Sequence, residues 1–338
     1  MSRTLPGSES DIVCGVTSLP FNPLRPHLRE LYGRNVYRVA LDAGSTCPNR
    51  DGAKGFGGCV YCDVEGSGTG ELKSGTQLAV QLEEGIERIR RREPDPGIIA
   101  YFQSYSNTYV APKRLREVLA VLDKHLGDPI VAVSIATRPD TISPEALDIL
   151  AELNERVPVW LELGLEVADD ALLDKIQRYH TVDDFLVAVE RVHRVGLQVV
   201  GHAILGIPGD GREGARRTAD CLAQSGIAGI KVHNLMILRR TILEKWWRAG
   251  EVPVLEPAAY VSWLADFIER LHPDQIVHRM TGDAAPEELL APLWDVRMNG
   301  IRHRLIQELE ARGTRQGSLF AGAGVSNPAS FSEKQRTD

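Results

Sequence analysis

The stretch Val36-Tyr-Arg-Val-Ala-Leu41 runs through five residues into Cys47-Pro-Asn-Arg-Asp-Gly-Ala-Lys-Gly-Phe-Gly-Gly-Cys59-Val-Tyr-Cys62. Its first six residues form a short apolar run of the kind that makes a buried strand. The remainder is a glycine-rich loop carrying three of the chain's five cysteines, with no fourth cysteine and no histidine nearby. Three thiolates can hold an iron–sulfur cluster and leave one iron open. Zinc is the rival, but structural zinc wants four closed ligands and catalytic zinc usually includes histidine or carboxylate. Short Cys-x-x-Cys spacings of thiolates are the habit of iron–sulfur sites. Spacing alone therefore favours a cluster over zinc and leaves unliganded thiols as a third reading.

Working outward, apolar runs alternate with amphipathic ones. Strands are expected at 36–41, 97–103, 129–135, 159–165, 197–205 and 229–236. Helices are expected at 77–92, 112–125, 143–156, 182–195 and 214–225. Ser143 is placed to cap its helix, with Pro144 in the first turn, and Gly196 to close another. Such alternation implies βαβ units and a parallel sheet. The fold expected is α/β: a partial, open TIM-like (β/α)6 barrel with an α-rich C-terminal extension. Residues 1–30 read as a flexible arm with one short helix near 27–33. Residues 31–250 read as the core, 251–320 as an extension closing the barrel, and 321–338 as a disordered tail. In the extension, helices are expected at 257–271, 287–290 and 297–312, and a further strand at 275–280. Functional loops of parallel barrels sit at the C-terminal ends of strands, which is where the cysteine loop falls.

Composition sets the wider bounds. The 338 residues carry a net charge of −7, with 43% hydrophobic and 25% charged residues. That argues against broad non-specific nucleic-acid binding but leaves room for a local basic patch. No signal-peptide layout and no membrane-spanning apolar run is seen, so the cytoplasm is the expected compartment and no membrane partner is expected. Few cysteines in such a chain read as metal-binding or catalytic, not as a disulfide framework. Cys14 reads as a free thiol and Cys221 as a small buried hydrophobe.

Several further stretches accompany the loop in order: AYFQSYSNTY (100–109), SIATRPD (134–140), ELGLE (162–166), RYHT (178–181), HAILGIPG (202–209), KVHNL (231–235), HRMTGD (278–283) and APLW (291–294). With the three-cysteine loop, they make the chain resemble a radical SAM enzyme over roughly residues 30–318. The likeness is best to the YhcC-type branch of the group that holds the elongator catalytic subunit, the methylthiotransferases and oxygen-independent coproporphyrinogen oxidase. The resemblance implies that Cys47, Cys59 and Cys62 hold three irons of a 4Fe–4S cluster, the fourth iron binding S-adenosylmethionine (SAM). It implies reductive cleavage of SAM to a 5′-deoxyadenosyl radical that takes a hydrogen atom from a substrate. A flavodoxin- or ferredoxin-like electron donor is implied as partner.

On that scaffold Tyr61 is an aromatic beside the cluster, and Gln103 and Ser104 are placed to accept from the methionine amino group. Glu166 suits the ribose hydroxyls, and Arg178 suits the SAM carboxylate through its guanidinium fork. His202 and Gly206 are candidates for contact with adenosine. Lys231 and His233 lie two apart on one strand and so share a face; they are the candidate catalytic residues. Bland readings stand beside these: a helix-surface ion pair for Arg178, a solvated strand end for Glu166, a core histidine for His202. Two departures from the relatives, Arg240 and the pair Arg297-Met298, bear on substrate or partner contacts. Kinship makes tRNA base modification the leading substrate class. A small-molecule or cofactor-pathway substrate is the alternative, and an iron–sulfur or zinc redox sensor is the non-enzymatic one. Arg239, Arg240, Arg297, Arg302, His303 and Arg304 are candidates for a phosphate-binding patch.

Overall fold

The structure is a computed structural model that describes residues 19–62 and 76–322. Cys14, the first eighteen residues and the tail from 323 lie outside the described residues.

Seven parallel strands form one curved sheet in the order in which the chain makes them. They are Val36–Leu41 (β1), Gly97–Phe102 (β2), Ile130–Thr137 (β3), Val159–Glu166 (β4), Gln198–Leu205 (β5), Gly229–Asn234 (β6) and Ile276–Arg279, which closes the series. The six expected strands are present, and the candidate at 275–280 is the seventh, paired in parallel with β6. Sequential parallel pairing without closure gives a half-open barrel. Among the described residues no helix is long and apolar enough to cross a membrane.

Helices on the outer face follow from local signals. Leu78–Arg90 (helix α2) lies so close on β1 that a Cβ at Gly85 would meet Val39 at 2.4 Å. Pro112–Ala120 (α3) starts on proline, which suits a first turn lacking amide partners. In Pro144–Asn154 (α4), Ser143 accepts from the Ala146 amide as expected. Asp170–Lys175 (α5), not expected from the sequence, is capped by Asp169. Val182–Arg194 (α6) opens on a reciprocal capping box of Thr181 and Asp184. Gly211–Gln224 (α7) completes the ring.

The segment expected to be a flexible arm is ordered from residue 19. Leu24–Tyr32 (α1) ends at Gly33, whose φ of 66° is the left-handed conformation that terminates helices. Phe21, Leu24 and Leu28 are buried. Leu24 and Leu28 pack with Ile99, Ala132, Trp160, Val200 and Ile276, all near the N-terminal ends of their strands. Thus α1 plugs the bottom of the barrel. Backbone bonds from Val277 to Asn22 (2.7 Å) and from Gln316 to Pro20 (2.8 Å) tie this segment to the C-terminal one.

After β6 the chain forms Ile237–Leu238 (β7), Ile242–Arg248 (α8) and Pro257–Arg270 (α9) before the seventh strand, which we number β8. Residues 287–290, expected to be helical, instead lead into Leu289–Ala291 (β9), antiparallel to β7. A run of two leucines and an alanine satisfies either pattern; the free edge of β7 decided it. Met298–Arg312 (α10) packs on α9, and α9 packs on α7. Asp266 of α9 is the fastening point, accepting from Arg212 and Arg216 of α7 and from Arg312 of α10 at 2.6–2.8 Å.

Candidate active site

Alternation along the strands builds the barrel interior in layers. The bottom layer is the apolar cluster around α1. Two residues further along each strand, the middle layer is polar: Tyr101, Ser134, Glu162, His202 and Lys231. Beyond it lies the mouth, where Gln103, Gly164, Glu166 and His233 meet the cysteine loop. One cavity, with about 260 Å³ of room, joins middle and mouth and is lined by all three loop cysteines.

The loop is shaped by its own backbone. Gly52, Gly57 and Gly58 have φ of 92°, 85° and 90°. The Arg50 amide donates to Cys47 O (2.8 Å) and the Cys62 amide to Cys59 O (3.0 Å). Asn49, fully buried, donates to Gln177 O at 2.6 Å and reaches Cys59 Sγ at 3.5 Å. Arg50 Nη2 lies 3.1 Å from Cys62 Sγ, and Arg178 Nη1 lies 3.8 Å from Cys59 Sγ. Nitrogen donors therefore face two of the three sulfurs, which suits sulfur that carries negative charge. Among the described residues no three His, Cys, Asp or Glu side chains converge as ligands of one ion. Three thiols on one cavity wall, with N–H donors on two of the sulfurs, are a donor set that fits a cluster.

Arg178 is buried in the loop after α5, not on a helix surface. Its Nη2 donates to Gly164 O at 2.9 Å, its Nε meets His180 Nε2 at 3.2 Å, and Glu166 Oε1 is 3.5 Å away. Burial drives His180 down to about 3, helped by the Arg178 charge, so its ring is neutral and accepts. Glu166 ends β4 with φ of 71°, a left-handed conformation that a non-glycine residue holds only under constraint. Tyr61 lines the cavity with its hydroxyl buried and unpartnered among the described residues. Gln103 lines the cavity; Ser104 is buried and does not. Gly206, with φ of 98°, backs onto Leu235 and Leu255 instead of the cavity.

In the middle layer Glu162 accepts from Ser134 Oγ and Lys231 Nζ, each at 2.5 Å, and pairs with His202 Nε2 at 3.0 Å. Burial pushes the Glu162 carboxyl up, but Lys231 and His202 outweigh it and hold it well below the carboxylate range. Burial lowers Lys231 to about 8 against the pull of Glu162, so the two form an ion pair at neutral pH. Lys231 also sits 4.2 Å over the Tyr101 ring. The His202 and His233 rings are 5.6 Å apart. Burial first, then the charges of His202, Arg279 and Lys231, hold His233 neutral. Lys231 and His233 do share the interior face, as alternation implies.

Four residues without a sequence-based role also belong here: Asn49, Arg50, Arg138 and Glu162. Glu162 was legible, because alternation puts it on the same face as Glu166. Arg138, at the end of β3, is 3% exposed. It donates to both Asp140 oxygens at 2.9 Å and to Arg178 O at 2.5 Å. Burial raises the Asp140 carboxyl, but Arg138 and Lys54 outweigh this and bring it to about 2.

Against known proteins, residues 46–222 match the family model of the Radical SAM superfamily, and 227–311 match that of the Radical_SAM C-terminal domain. The chain is 37% identical to YtqA of Bacillus subtilis over 308 residues, covering 90% of this chain and 94% of that protein. It is 34% identical to YhcC of Escherichia coli K12 over 268 residues, covering 79% and 85%. A tRNA uridine(34) acetyltransferase of Dehalococcoides mccartyi is 26% identical over 185 residues, 54% of this chain and 39% of that one. Among solved structures, an archaeal Elp3 of Methanocaldococcus infernus has a TM-score of 0.65 at 16% identity, covering 83% of this chain and 64% of that one. That likeness is one of fold.

Proposed function

Because the chain belongs to the Radical SAM superfamily, we propose that it cleaves SAM reductively and uses the resulting radical to take a hydrogen atom from a substrate held in the barrel. The observation that carries this reading is the set of three thiols on one cavity wall at the barrel mouth, with nitrogen donors on two of the sulfurs. Cys47, Cys59 and Cys62 would hold a 4Fe–4S cluster, which would supply the electron received from a flavodoxin- or ferredoxin-like reductant.

The protein's own residues then have the following tasks. Arg50, Asn49 and Arg178 place N–H groups against thiolate charge. Arg178 is committed to Gly164 O, His180 and Cys59, so we assign it the positioning of Cys59 and Glu166 rather than a fork onto the SAM carboxylate. Glu166 receives the ribose hydroxyls, and Gln103, on the cavity wall, receives the methionine amino group. Ser104 supports Gln103 from behind the wall. Tyr61 flanks the cluster position. His202, fixed by Glu162, lies under the adenosine, and Gly206 supports that wall through Leu235. His233 faces the substrate from the cavity wall, and Lys231, on the same strand face but behind that lining, holds Glu162. The curved wall of strands holds the reacting atoms in line.

The partial likeness to a tRNA uridine(34) acetyltransferase suggests a tRNA base as one substrate class, beside which a small-molecule substrate stands as the second. In the proposed phosphate-binding patch, Arg240 is paired with Glu288 and Arg239 donates to Glu287 O.

The test is anaerobic cluster reconstitution followed by SAM and dithionite, with 5′-deoxyadenosine as readout. Product formation is expected. Replacing Cys47, Cys59 or Cys62 with Ala should abolish iron and sulfide loading, whereas Cys221→Ala should load normally. A fully loaded chain that makes no 5′-deoxyadenosine, even with cell extract as a substrate source, would refute the reading.

A further inference from the structure

We propose that the top of the middle layer, where it meets the mouth, is the seat for an oxyanion, a carboxylate or phosphate carried by a small-molecule substrate, with Arg279 of that layer and His233 of the level above as its donors. The proposal rests on the reading above only for the identity of the cavity's other occupant.

The charge balance of the layer comes first. Glu162 is its one carboxylate among the described residues, and its oxygens are taken by Lys231, Ser134 and His202. The Tyr101 hydroxyl bonds to it as well. Glu162 thus offsets Lys231 and has nothing left for a second cation. Arg279 stands directly beside Lys231 in the strand register and lines the same cavity. Its guanidinium has no side-chain hydrogen bond or ion pair to any described residue. Arg38, on the facing edge strand, adds positive charge close to Lys231. Arg38 is exposed and donates to His278 O, so the cation left facing the cavity without a carboxylate is Arg279, half-buried at the edge of the sheet, and it attracts an anion there.

The second observation is independent of Arg279. His233 Nε2 is buried without a hydrogen-bond partner, and the ring lines the cavity. A neutral imidazole always has one N–H to donate and one lone pair to fill. A guanidinium fork and an imidazole facing one space make a site for a group with two or three oxygens, since Arg engages carboxylate and phosphate bidentately. Pockets of this kind, mostly apolar with a few convergent polar groups, take small ligands.

Position argues for a small molecule. Lys231, His202 and Arg279 share one level of the wall, three residues short of the ends of β5 and β6. Arg279 lies at the level of Lys231, one step below the residues that meet the cysteine loop, so an anion on its guanidinium is set below a SAM carboxylate that a cluster on that loop would hold. A polymer crossing the mouth keeps its phosphates on a backbone flanked by sugars, whereas the end of a small molecule reaches inward.

Equilibrium dialysis tests this on the cluster-loaded full chain. Radiolabelled phosphate and succinate are the two probes, and chloride holds ionic strength constant. One equivalent of either is expected to bind with a Kd on the order of 1 mM or tighter, the stronger probe identifying phosphate or carboxylate. Arg279→Gln should weaken it by about tenfold or more, and His233→Phe by several-fold. Arg279→Lys should recover part of the loss, while Arg194→Gln, on the exposed face of α6, should bind as wild type. If Arg279→Gln does not fold, the Lys and Phe variants still decide. The proposal is overturned if neither probe binds wild type, or if all variants bind alike. It is equally overturned if neither anion binds while tRNA does with steep salt dependence. Production of 5′-deoxyadenosine by the same wild-type preparation tests the parent reading separately: product without anion binding sinks only the oxyanion seat.

Discussion

Gly164 stands on the inner face of β4 between Glu166 and Arg178, with its carbonyl bonded to the Arg178 guanidinium. A Cβ there would meet Glu166 Oε1 at 2.3 Å and Arg178 Nη2 at 2.7 Å. Both neighbours are buried and neither can swing into solvent. Gly164→Ala is therefore expected to push Arg178 off Cys59, cost about 1–3 kcal/mol of stability, and weaken SAM binding. Denaturant melts and SAM dialysis measure the two effects, and a variant normal in both would show that the Gly164–Arg178 contact is not needed. Alternation along ELGLE placed residues 162, 164 and 166 on one face. It did not reveal that Glu166 turns left-handed, because that conformation is imposed by the ladder slip between β4 and β5, not by the residue.

Between elements, the clearest dependence is that of α7, α9 and α10 on one carboxylate. Burial raises the Asp266 carboxyl, but hydrogen bonds from Arg212, Arg312 and Arg216 outweigh this and set it well below the usual range. A carboxyl held down in the folded chain stabilises fully above its unfolded value of about 3.9 and loses that contribution as pH falls below it. The stability difference between wild type and Asp266→Asn should thus be of the order of 1–3 kcal/mol at pH 7, the partly exposed arginines lessening it. It should shrink by about 1 kcal/mol on going to pH 3. Urea melts at the two pH values check this; a pH-independent difference would mean the network contributes through packing alone. The α1 helix is a companion case. Its amphipathic period was visible, but the composition of residues 1–30 read as an arm. Only the open lower end of a barrel supplies apolar residues for Leu24 and Leu28 to meet.

For the whole molecule, the extension behaves as part of the same body as the core. Removing everything after Gly250 would take away β8 and bare the edge of β6. It would also strip Tyr260, Leu264, Phe267 and Ile268 of α9, each fully buried, from the central core. An unpaired central strand and a stripped apolar face favour aggregation. The truncated chain is expected to lose cooperative unfolding, as read by circular dichroism during heating. A sharp native-like transition would show that residues 31–250 fold alone.

The chain by itself determined what is local and periodic. Three thiols within sixteen residues must share one loop, and alternating apolar runs dictated parallel strands with helices outside. Residues an even number apart on those strands had to face the same way, which put Lys231 with His233 and Glu162 with Glu166. What the tertiary structure decided depends on which strands become neighbours. Closing the sheet with β8 set Arg279 against Lys231, and the curve of the barrel carried Tyr101 and Glu162 to the same layer. Packing Arg178 against Gly164 turned an apparent surface arginine into a buried brace for Cys59. Charge compensation acts through space, so whether a cation is paired or left facing a cavity is settled only when distant strands meet.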